Sequence, residues 1–238
     1  MRGDVPDLAA REVEIVHAAL AETRATRVIM CPTYYSDDRV LDVVFGERPP
    51  RFLDELGRRL DARVGIYWTG EEVCAREHSP RHLERVSEAL GRKPTLWDNY
   101  PVNDGARMCR FLHLRAFTGR PSTIGAHVSA HAINPALQPH LTLIPAATLA
   151  ASYREGADYC YMHAFREAAA KLAGPAFAHM LEEDLLALQD RGLERLGVDA
   201  GRLRQRYGVI GHPMAAEVVR WLDGAYAVES VELEPPTG

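Results

Sequence analysis

The sequence lacks the features that mark membrane, secreted and metal-stabilised proteins. No apolar run reaches the roughly 20 residues that a membrane-spanning helix needs, and the amino terminus lacks the apolar core of a signal peptide. The four cysteines lie far apart without Cys-x-x-Cys spacing, which predicts neither a zinc knuckle nor a disulfide framework. We therefore expect a cytoplasmic chain with free thiols and no membrane partner.

Basic residues are also fewer than acidic ones. The sequence has 28 Lys and Arg and 33 Asp and Glu, which gives a net charge of −5. Nucleic acids bind to basic surfaces, so this balance argues against a nucleic-acid partner. The segment GRPS at residues 119–122 lacks the glycines and the lysine of a phosphate-binding loop. We therefore expect no cofactor.

Two pairs of histidines have spacings that metal ligands can use, but neither pair has an evident third ligand. His78 and His82 stand four residues apart at a predicted helix start, and we interpret them as part of a solvated helix face. His127 and His131 share one face of a predicted strand, where inward-facing polar groups of a barrel are the preferred interpretation. The sequence therefore predicts no metal site.

What is present is a repeated alternation of strands and helices within 238 residues, enough for one large or two small domains. Helical patterns cover residues 5–23, 49–60, 79–90 and 106–116. Strand patterns cover residues 27–30, 64–67, the start of 94–104, and 125–133. Such alternation predicts an α/β fold with a parallel sheet and helices outside it.

From residue 139 onward the pattern is helical only. The predicted helices cover residues 139–153, 158–172, 175–196, 199–207 and 213–226. We expect a region of βα units over residues 1–160, a helical appendage over 161–227 and a loose tail over 228–238.

Polar and aromatic side chains concentrate where each predicted strand ends. The densest cluster is WDNYPVND at residues 97–104, and smaller clusters lie at residues 33–35, 68–70 and Asn134. A turn alone could explain one cluster, because Asn, Asp and Pro are turn formers. In parallel α/β folds, ligands bind beyond the carboxyl ends of the strands, so four clusters at this end favour a binding site.

These motifs, in this order, resemble the catalytic domain of glycoside hydrolase family 84, which includes bacterial β-N-acetylglucosaminidases and O-GlcNAcases. The matching segments are CPTYY at residues 31–35, WTG at 68–70, WDNYPVND at 97–104 and Asn-Pro at 134–135. The resemblance covers about residues 8–161. It implies a fold of the (β/α)8-barrel type, with only the last four βα units in this chain, followed by C-terminal helices.

The resemblance also implies a retaining, substrate-assisted mechanism, in which the N-acetyl oxygen of the sugar attacks the anomeric carbon and forms an oxazoline. It implies that Tyr35 faces the acetamido group or its orienting carboxylate, and that Trp97 walls the pocket of the acetamido methyl. It implies that Asn99 hydrogen-bonds near the catalytic carboxylate and the acetamido group, and that Asp104 and Asn134 bind sugar hydroxyls. Amides, carboxylates and aromatic rings suit these roles chemically.

The chain departs from the family pattern at the catalytic carboxylates. The family has an adjacent Asp-Asp pair upstream of the first helix, where this chain has only MRGDVPD. Asp4 is the candidate for the general acid/base, with Gly3 in place of the orienting Asp. Tyr34 also replaces a family Glu, and the Glu expected soon after Asn134 is absent.

Two hypotheses follow for the function. The first is a glycosidase that acts on terminal β-linked N-acetylglucosamine, and the second is a non-catalytic remnant that binds N-acetylhexosamine or another protein. Four strands of an eight-stranded parallel barrel leave two open edges, which invite pairing. Besides a glycan or glycoconjugate containing N-acetylglucosamine, we expect a homodimer or a complementing half-barrel, or else a rearranged open sheet.

Overall fold

The computed structural model of the chain describes residues 4–229, so the predicted tail lies outside the described residues from residue 230 onward. By compactness the chain divides into two units. The first unit runs to Asn99 and includes Thr118–Ile133, and the second contains Tyr100–Phe117 and the residues from Asn134 onward. The elements of the first unit are α1 (Leu8–Glu22), β1 (Val28–Met30), α2 (Val40–Phe45), α3 (Phe52–Arg59), β2 (Val64–Trp68), α4 (Pro80–Leu90), β3 (Thr95–Asp98) and β4 (Ala130–Ile133).

The four strands of the first unit form one parallel sheet in the order β1-β2-β3-β4. Trp68 pairs with Leu96, and Leu96 pairs with His131, so these three side chains point to the same side of the sheet. The indole Nε1 of Trp68 donates a hydrogen bond of 3.0 Å to Nε2 of His82 on α4, which identifies this side as the one that the helices cover. The predicted α/β fold with a parallel sheet is confirmed.

Helix α4 forms where its sequence predicts it. Ser79 precedes the helix and its hydroxyl accepts from the backbone N–H of His82, while Pro80 occupies the first turn. Leu83, Val86 and Leu90 form its buried face. Leu83 and Leu90 have no exposed surface, so this face is a full part of the core.

The second unit is mainly helical. Its helices are α5 (Pro139–Glu155), α6 (Tyr161–Ala173), α7 (Pro175–Leu185), α8 (Asp199–Gly208) and α9 (Pro213–Leu222). They share a hydrophobic core that includes Phe165, Leu181, Tyr207 and Trp221. The domain boundary predicted at residue 160 falls within this unit, between α5 and α6, and it stays a prediction.

The helix predicted over residues 106–116 is wrong, because only Met108–Arg110 forms a short 3-10 turn. Beyond it, buried Leu112, Leu114 and Ala116 alternate with half-buried residues, which is the period of an extended chain. Several backbone N–H groups of residues 112–116 donate outside this segment rather than along a helix. The N–H of Leu112, for example, donates to the carbonyl of Leu188 at 3.0 Å.

Two further boundaries differ from the prediction. The strand predicted over residues 125–133 covers only Ala130–Ile133, since Ser122–Ala126 forms a 3-10 turn. The helix predicted over 175–196 leaves α geometry after Leu185 and continues as a π-helical turn, Leu186–Arg191. Within residues 4–229, every helix is too short or too polar to cross a bilayer.

Candidate functional site

The carboxyl ends of β1 and β2 are tied together by the motif that follows β2. The backbone N–H of Thr69 donates to the carbonyl of Tyr35 at 2.9 Å, and the hydroxyl of Ser36 donates to the carbonyl of Gly70 at 2.9 Å. Tyr35, a predicted substrate-binding residue, is half-buried just beyond β1. Burial raises the pKa of its hydroxyl, and the neighbouring Cys31 adds to the effect, so Tyr35 stays a neutral hydrogen-bonding group.

Trp97 and Asn99 lie at the carboxyl end of β3. The Trp97 ring is half-buried and meets Tyr67 edge-on, with ring centroids 5.2 Å apart and an angle of 73° between the planes. Asn99 donates from Nδ2 to the carbonyl of Val73 at 2.7 Å. Since Thr69 and Val73 belong to one short loop after β2, that loop anchors both Tyr35 and Asn99.

Asp98 lies between these two residues, and its side chain points to the helix-covered side of the sheet. Arg120 donates to it from Nε at 2.8 Å and from Nη2 at 2.7 Å, a two-point contact with both carboxylate oxygens. The Nε2 atoms of His78 and His131 lie 3.3 and 3.1 Å from Oδ2 of the same carboxylate. We call Asp98, Arg120, His78 and His131 the Asp98 cluster.

Burial by itself would raise the pKa of Asp98, but the hydrogen bonds from Arg120, His131 and His78 outweigh it. They hold the pKa of Asp98 well below its usual range, so the carboxylate is ionised and paired at neutral pH. Arg120 also donates from Nη2 to the carbonyl of Ala75 at 2.8 Å and from Nη1 to the carbonyl of Arg76. The cluster therefore fixes the loop before α4 to the end of β3.

The side chains of His78, Asp98 and His131 offer ligand atoms within 4.8 Å of one another, a spacing that a metal ion can use. Arg120 occupies both carboxylate oxygens, and its fixed positive charge repels a cation at the same place. We therefore assign these side chains to an ion-pair network.

The histidines lie in other environments than their sequence spacing predicts. His78 and His82 are buried rather than part of a solvated helix face, because Asp98 and the Trp68 indole are their partners. His131 points to the helix-covered side of the sheet rather than inward, since it shares a side with Trp68. Sequence spacing pairs His78 with His82 and His127 with His131. The fold instead brings His78 and His131 together at Asp98.

In the second unit, the loop that carries Asp104 is held by its neighbour. Asn103 is buried and donates from Nδ2 to Oε1 of Gln138 at 2.9 Å, while its Oδ1 accepts from the backbone N–H of Leu137 at 2.9 Å. These partners lie three and four residues after Asn134, so Asn103 joins the segments that carry Asp104 and Asn134. Asp104 is exposed and Asn134 is half-buried.

Two carboxyl groups that precede β1 in the chain differ in environment. Asp4, the candidate general acid/base, is exposed in the turn before α1. Glu12 on α1 is buried, and its Oε1 accepts from the backbone N–H of Thr33 at 3.0 Å and from the Thr33 hydroxyl. Burial raises the pKa of Glu12 above its usual value, and the hydrogen bonds from Thr33 oppose this effect only in part. Glu12 and Tyr35 line the same cavity of about 300 Å³.

A family model described as beta-N-acetylglucosaminidase matches residues 6–189 of the chain. The chain belongs to the beta-N-acetylglucosaminidase family. This match confirms the family resemblance that the strand-end motifs indicate, and it identifies the chain as related to glycoside hydrolases.

Two similar proteins of known name support this family assignment. Over 126 residues the chain is 27% identical to the protein O-GlcNAcases of Rattus norvegicus and of Mus musculus, a stretch that is 53% of this chain and 13% of either relative. The chain therefore spans a small part of these relatives.

Solved structures show the fold. A mutant of the Thermobaculum terrenum O-GlcNAc hydrolase superposes with a TM-score of 0.66 at 24% identity, covering 92% of this chain and 52% of that one. The protein CpGH84B superposes with a TM-score of 0.62 at 18% identity, covering 90% and 44%. Together with the parallel four-stranded sheet, this coverage confirms the predicted partial barrel.

Proposed function

We propose that this member of the beta-N-acetylglucosaminidase family recognises terminal β-linked N-acetylglucosamine on a glycan or glycoconjugate. The observation that carries the proposal is the fixed, half-buried Trp97 ring at the carboxyl end of β3. The Tyr67 ring packs against the Trp97 ring in a T-shaped contact. The next residue of the strand, Asp98, is held by the buried Asp98 cluster. Apolar ring faces of this kind stack on sugars or enclose an acetamido methyl.

The proposed roles of the polar residues follow the family resemblance. Asn99 and Tyr35 contact the acetamido group, and Asp104 and Asn134 bind sugar hydroxyls. Asp104 suits its role because it is an exposed carboxylate on a loop that Asn103 holds in place. The alternative function, binding of N-acetylhexosamine without cleavage, keeps these roles and omits catalysis.

Cleavage by the substrate-assisted route needs a carboxyl group that protonates the glycosidic oxygen. Asp4 and Glu12 are candidates for this role, and their environments differ. Asp4 is exposed in the turn before α1, whereas Glu12 is buried, and burial raises its pKa. Of the two proposed functions, only hydrolysis requires such a carboxyl group.

Binding is tested by calorimetric titration of the chain with N-acetylglucosamine. We expect Trp97→Ala to weaken binding about three- to tenfold, the effect of losing one ring contact. Tyr161→Ala is the matched control, since Tyr161 is a half-exposed aromatic residue on α6 outside the proposed site. Equal affinity of the two variants, or no binding by the unaltered chain, contradicts the proposal.

Hydrolysis is tested with a chromogenic N-acetyl-β-glucosaminide. If the chain turns this substrate over, Asp4→Asn or Glu12→Gln should lower kcat about 10²- to 10⁴-fold, the contribution of general acid catalysis. Binding without turnover by the unaltered chain identifies the non-catalytic alternative.

A further inference from the structure

Residues 119–122, to which the proposed function gives no role, lie against residues 69–79, the loop between β2 and α4. We call residues 69–79 the β2–α4 loop. The backbone N–H of His78 in this loop donates to the carbonyl of Gly119 at 2.9 Å. Gly119 has a φ of +71°, and a Cβ atom there would lie 2.5 Å from the carbonyl oxygen of Arg76. Glycine alone fits both this left-handed backbone and this close approach.

Arg120 holds the same loop through its side chain. Its Nη2 donates to the carbonyl of Ala75 at 2.8 Å, and its Nη1 donates to the carbonyl of Arg76. On the other side, Nε and Nη2 donate to the two carboxylate oxygens of Asp98 at 2.8 and 2.7 Å. A buried planar guanidinium with these acceptors has one geometry. Arg120 therefore fixes the β2–α4 loop relative to the end of β3.

The β2–α4 loop also carries the acceptor that orients Asn99. The side-chain Nδ2 of Asn99 donates to the carbonyl of Val73 at 2.7 Å, and the backbone N–H of Val73 donates to Oδ2 of Asp38 at 3.1 Å. Val73 lies two residues before Ala75, the first carbonyl that Arg120 binds. A shift of the loop at Ala75 therefore moves the acceptor of Asn99.

We propose that Arg120 is a positioning residue for recognition of the acetamido group, acting through the β2–α4 loop on Asn99. The inference rests on the proposed function, in which Asn99 contacts the acetamido group of the sugar. Arg120 is buried and acts on this group alone, so it should control the preference for N-acetylglucosamine over glucose. Gly119 is the second positioning residue, since it sets how closely the loop approaches.

The test compares two sugars that differ in one group. Methyl β-N-acetylglucosaminide carries the acetamido group, and methyl β-glucoside carries a hydroxyl in its place. Affinities of the full chain for both are measured by NMR titration, and their ratio is the readout. A general loss of folded protein lowers binding of both sugars together, so a merely structural role leaves the ratio unchanged.

We expect Arg120→Lys to lower this ratio about three- to tenfold, the effect of one weakened hydrogen bond. Lysine keeps the charge beside Asp98 but lacks the fork that also reaches the loop carbonyls. Arg92→Lys is the matched control, because Arg92 also binds backbone carbonyls, among them Val64 at the start of β2. A ratio in Arg120→Lys equal to that of the control would overturn the proposal.

Gly119→Ala tests the loop without a change of charge. The added methyl group displaces the carbonyl of Arg76, so the ratio should fall as it does in Arg120→Lys. Gly91→Ala is the control, since Gly91 has a similar φ of +63° and an added Cβ there meets no atom within 4 Å. Equal ratios in the two alanine variants would contradict the role of the loop.

The side-chain amide signal of Asn99 in a ¹⁵N NMR spectrum reports its position without any sugar. Its hydrogen exchange should be about three- to tenfold faster in Arg120→Lys and unchanged in Arg92→Lys, because the bond to Val73 weakens only in the former. Faster exchange in a chain that binds neither sugar would refute the proposed function and keep the positioning of Asn99. Unchanged exchange in Arg120→Lys would refute the positioning, whether or not the sugars bind.

Discussion

At the scale of single residues, the stability of the first unit depends on the charge of Asp98. The folded-state pKa of Asp98 is lowered, because hydrogen bonds from Arg120, His131 and His78 outweigh its desolvation. A carboxyl with a lowered folded pKa contributes stability above its unfolded pKa of about 4, and this contribution is lost as the pH falls toward the folded value. Asp98 should therefore be one cause of acid unfolding.

We predict that Asp98→Asn lowers the free energy of unfolding at pH 7 by about 3 kcal/mol, because it leaves Arg120 buried beside a neutral partner. The difference from the unaltered chain should shrink below about pH 4, by up to about 1.4 kcal/mol per pH unit. Urea unfolding between pH 2 and 7 measures both effects.

Asp54→Asn is the matched control for this experiment. Asp54 is an exposed residue on α3, and its substitution should change stability by less than about 0.5 kcal/mol. A difference between Asp98→Asn and the unaltered chain that stays constant from pH 7 to pH 2 would contradict the assigned role of the Asp98 charge.

Single residues also show what the sequence could predict. Tyr35, Trp97 and Asn99 were identifiable because each belongs to a motif at the end of a predicted strand, and whether they bind sugar stays a prediction. The partners of Asp98 were not identifiable, since His78, Arg120 and His131 come from three separate segments. Only the parallel pairing of β3 with β4 and the loop before α4 brings them together.

At the scale of elements, one arginine joins the end of α3 to the start of β2. Arg92, just after α4, donates from Nη1 to the carbonyls of Asp61 and Val64 at 2.8 and 2.9 Å. Its Nη2 donates to the carbonyls of Gly57 and Leu60 at 2.7 and 2.9 Å. The last carbonyls of a helix carry partial negative charge, so a cation placed there satisfies the acceptors and the helix dipole together.

We predict that Arg92→Ala lowers the free energy of unfolding by about 2 to 3 kcal/mol, because four carbonyls lose a charged donor. Arg92→Lys should recover less than half of this loss, since an ammonium group lacks the planar fork that reaches both pairs of carbonyls. Chemical unfolding followed by circular dichroism measures these values.

The neighbouring Lys93 provides the control for position and charge. It is exposed, and Lys93→Ala should change stability by less than about 0.5 kcal/mol. Similar effects of Arg92→Ala and Lys93→Ala would show that net charge, rather than the contacts of Arg92, stabilises α3.

The elements that the sequence predicted correctly are those whose signals are local. Helix α4 has its cap, its first-turn proline and its apolar face within twelve residues, 79–90. Residues 106–116 have no side-chain cap, and the N–H groups from Leu112 onward include donors to Leu188 and Gln189, more than 70 residues away. The alternation of Leu112, Leu114 and Ala116 was the one local sign of extended structure.

At the scale of the whole molecule, the parallel sheet has two edge strands, β1 and β4. Among the described residues β1 pairs only with β2, and β4 pairs only with β3. Apolar side chains adjoin β1, where Ile15 and Val16 of α1, Met30 and Phe45 line one shallow cavity. Ile15 is 49% exposed, so this edge presents both unpaired backbone groups and apolar surface.

The open edges of the sheet predict a homodimer or a complementing half-barrel. If the β1 edge pairs with a second copy, sedimentation equilibrium at micromolar concentration should give twice the chain mass of 26.5 kDa. Ile15→Glu should then shift the chain toward monomer, because a charge buried at such an interface is costly. Val209→Glu is the control, since Val209 is 82% exposed just after α8. A monomer at every concentration would exclude the homodimer and would count against pairing of the open edges.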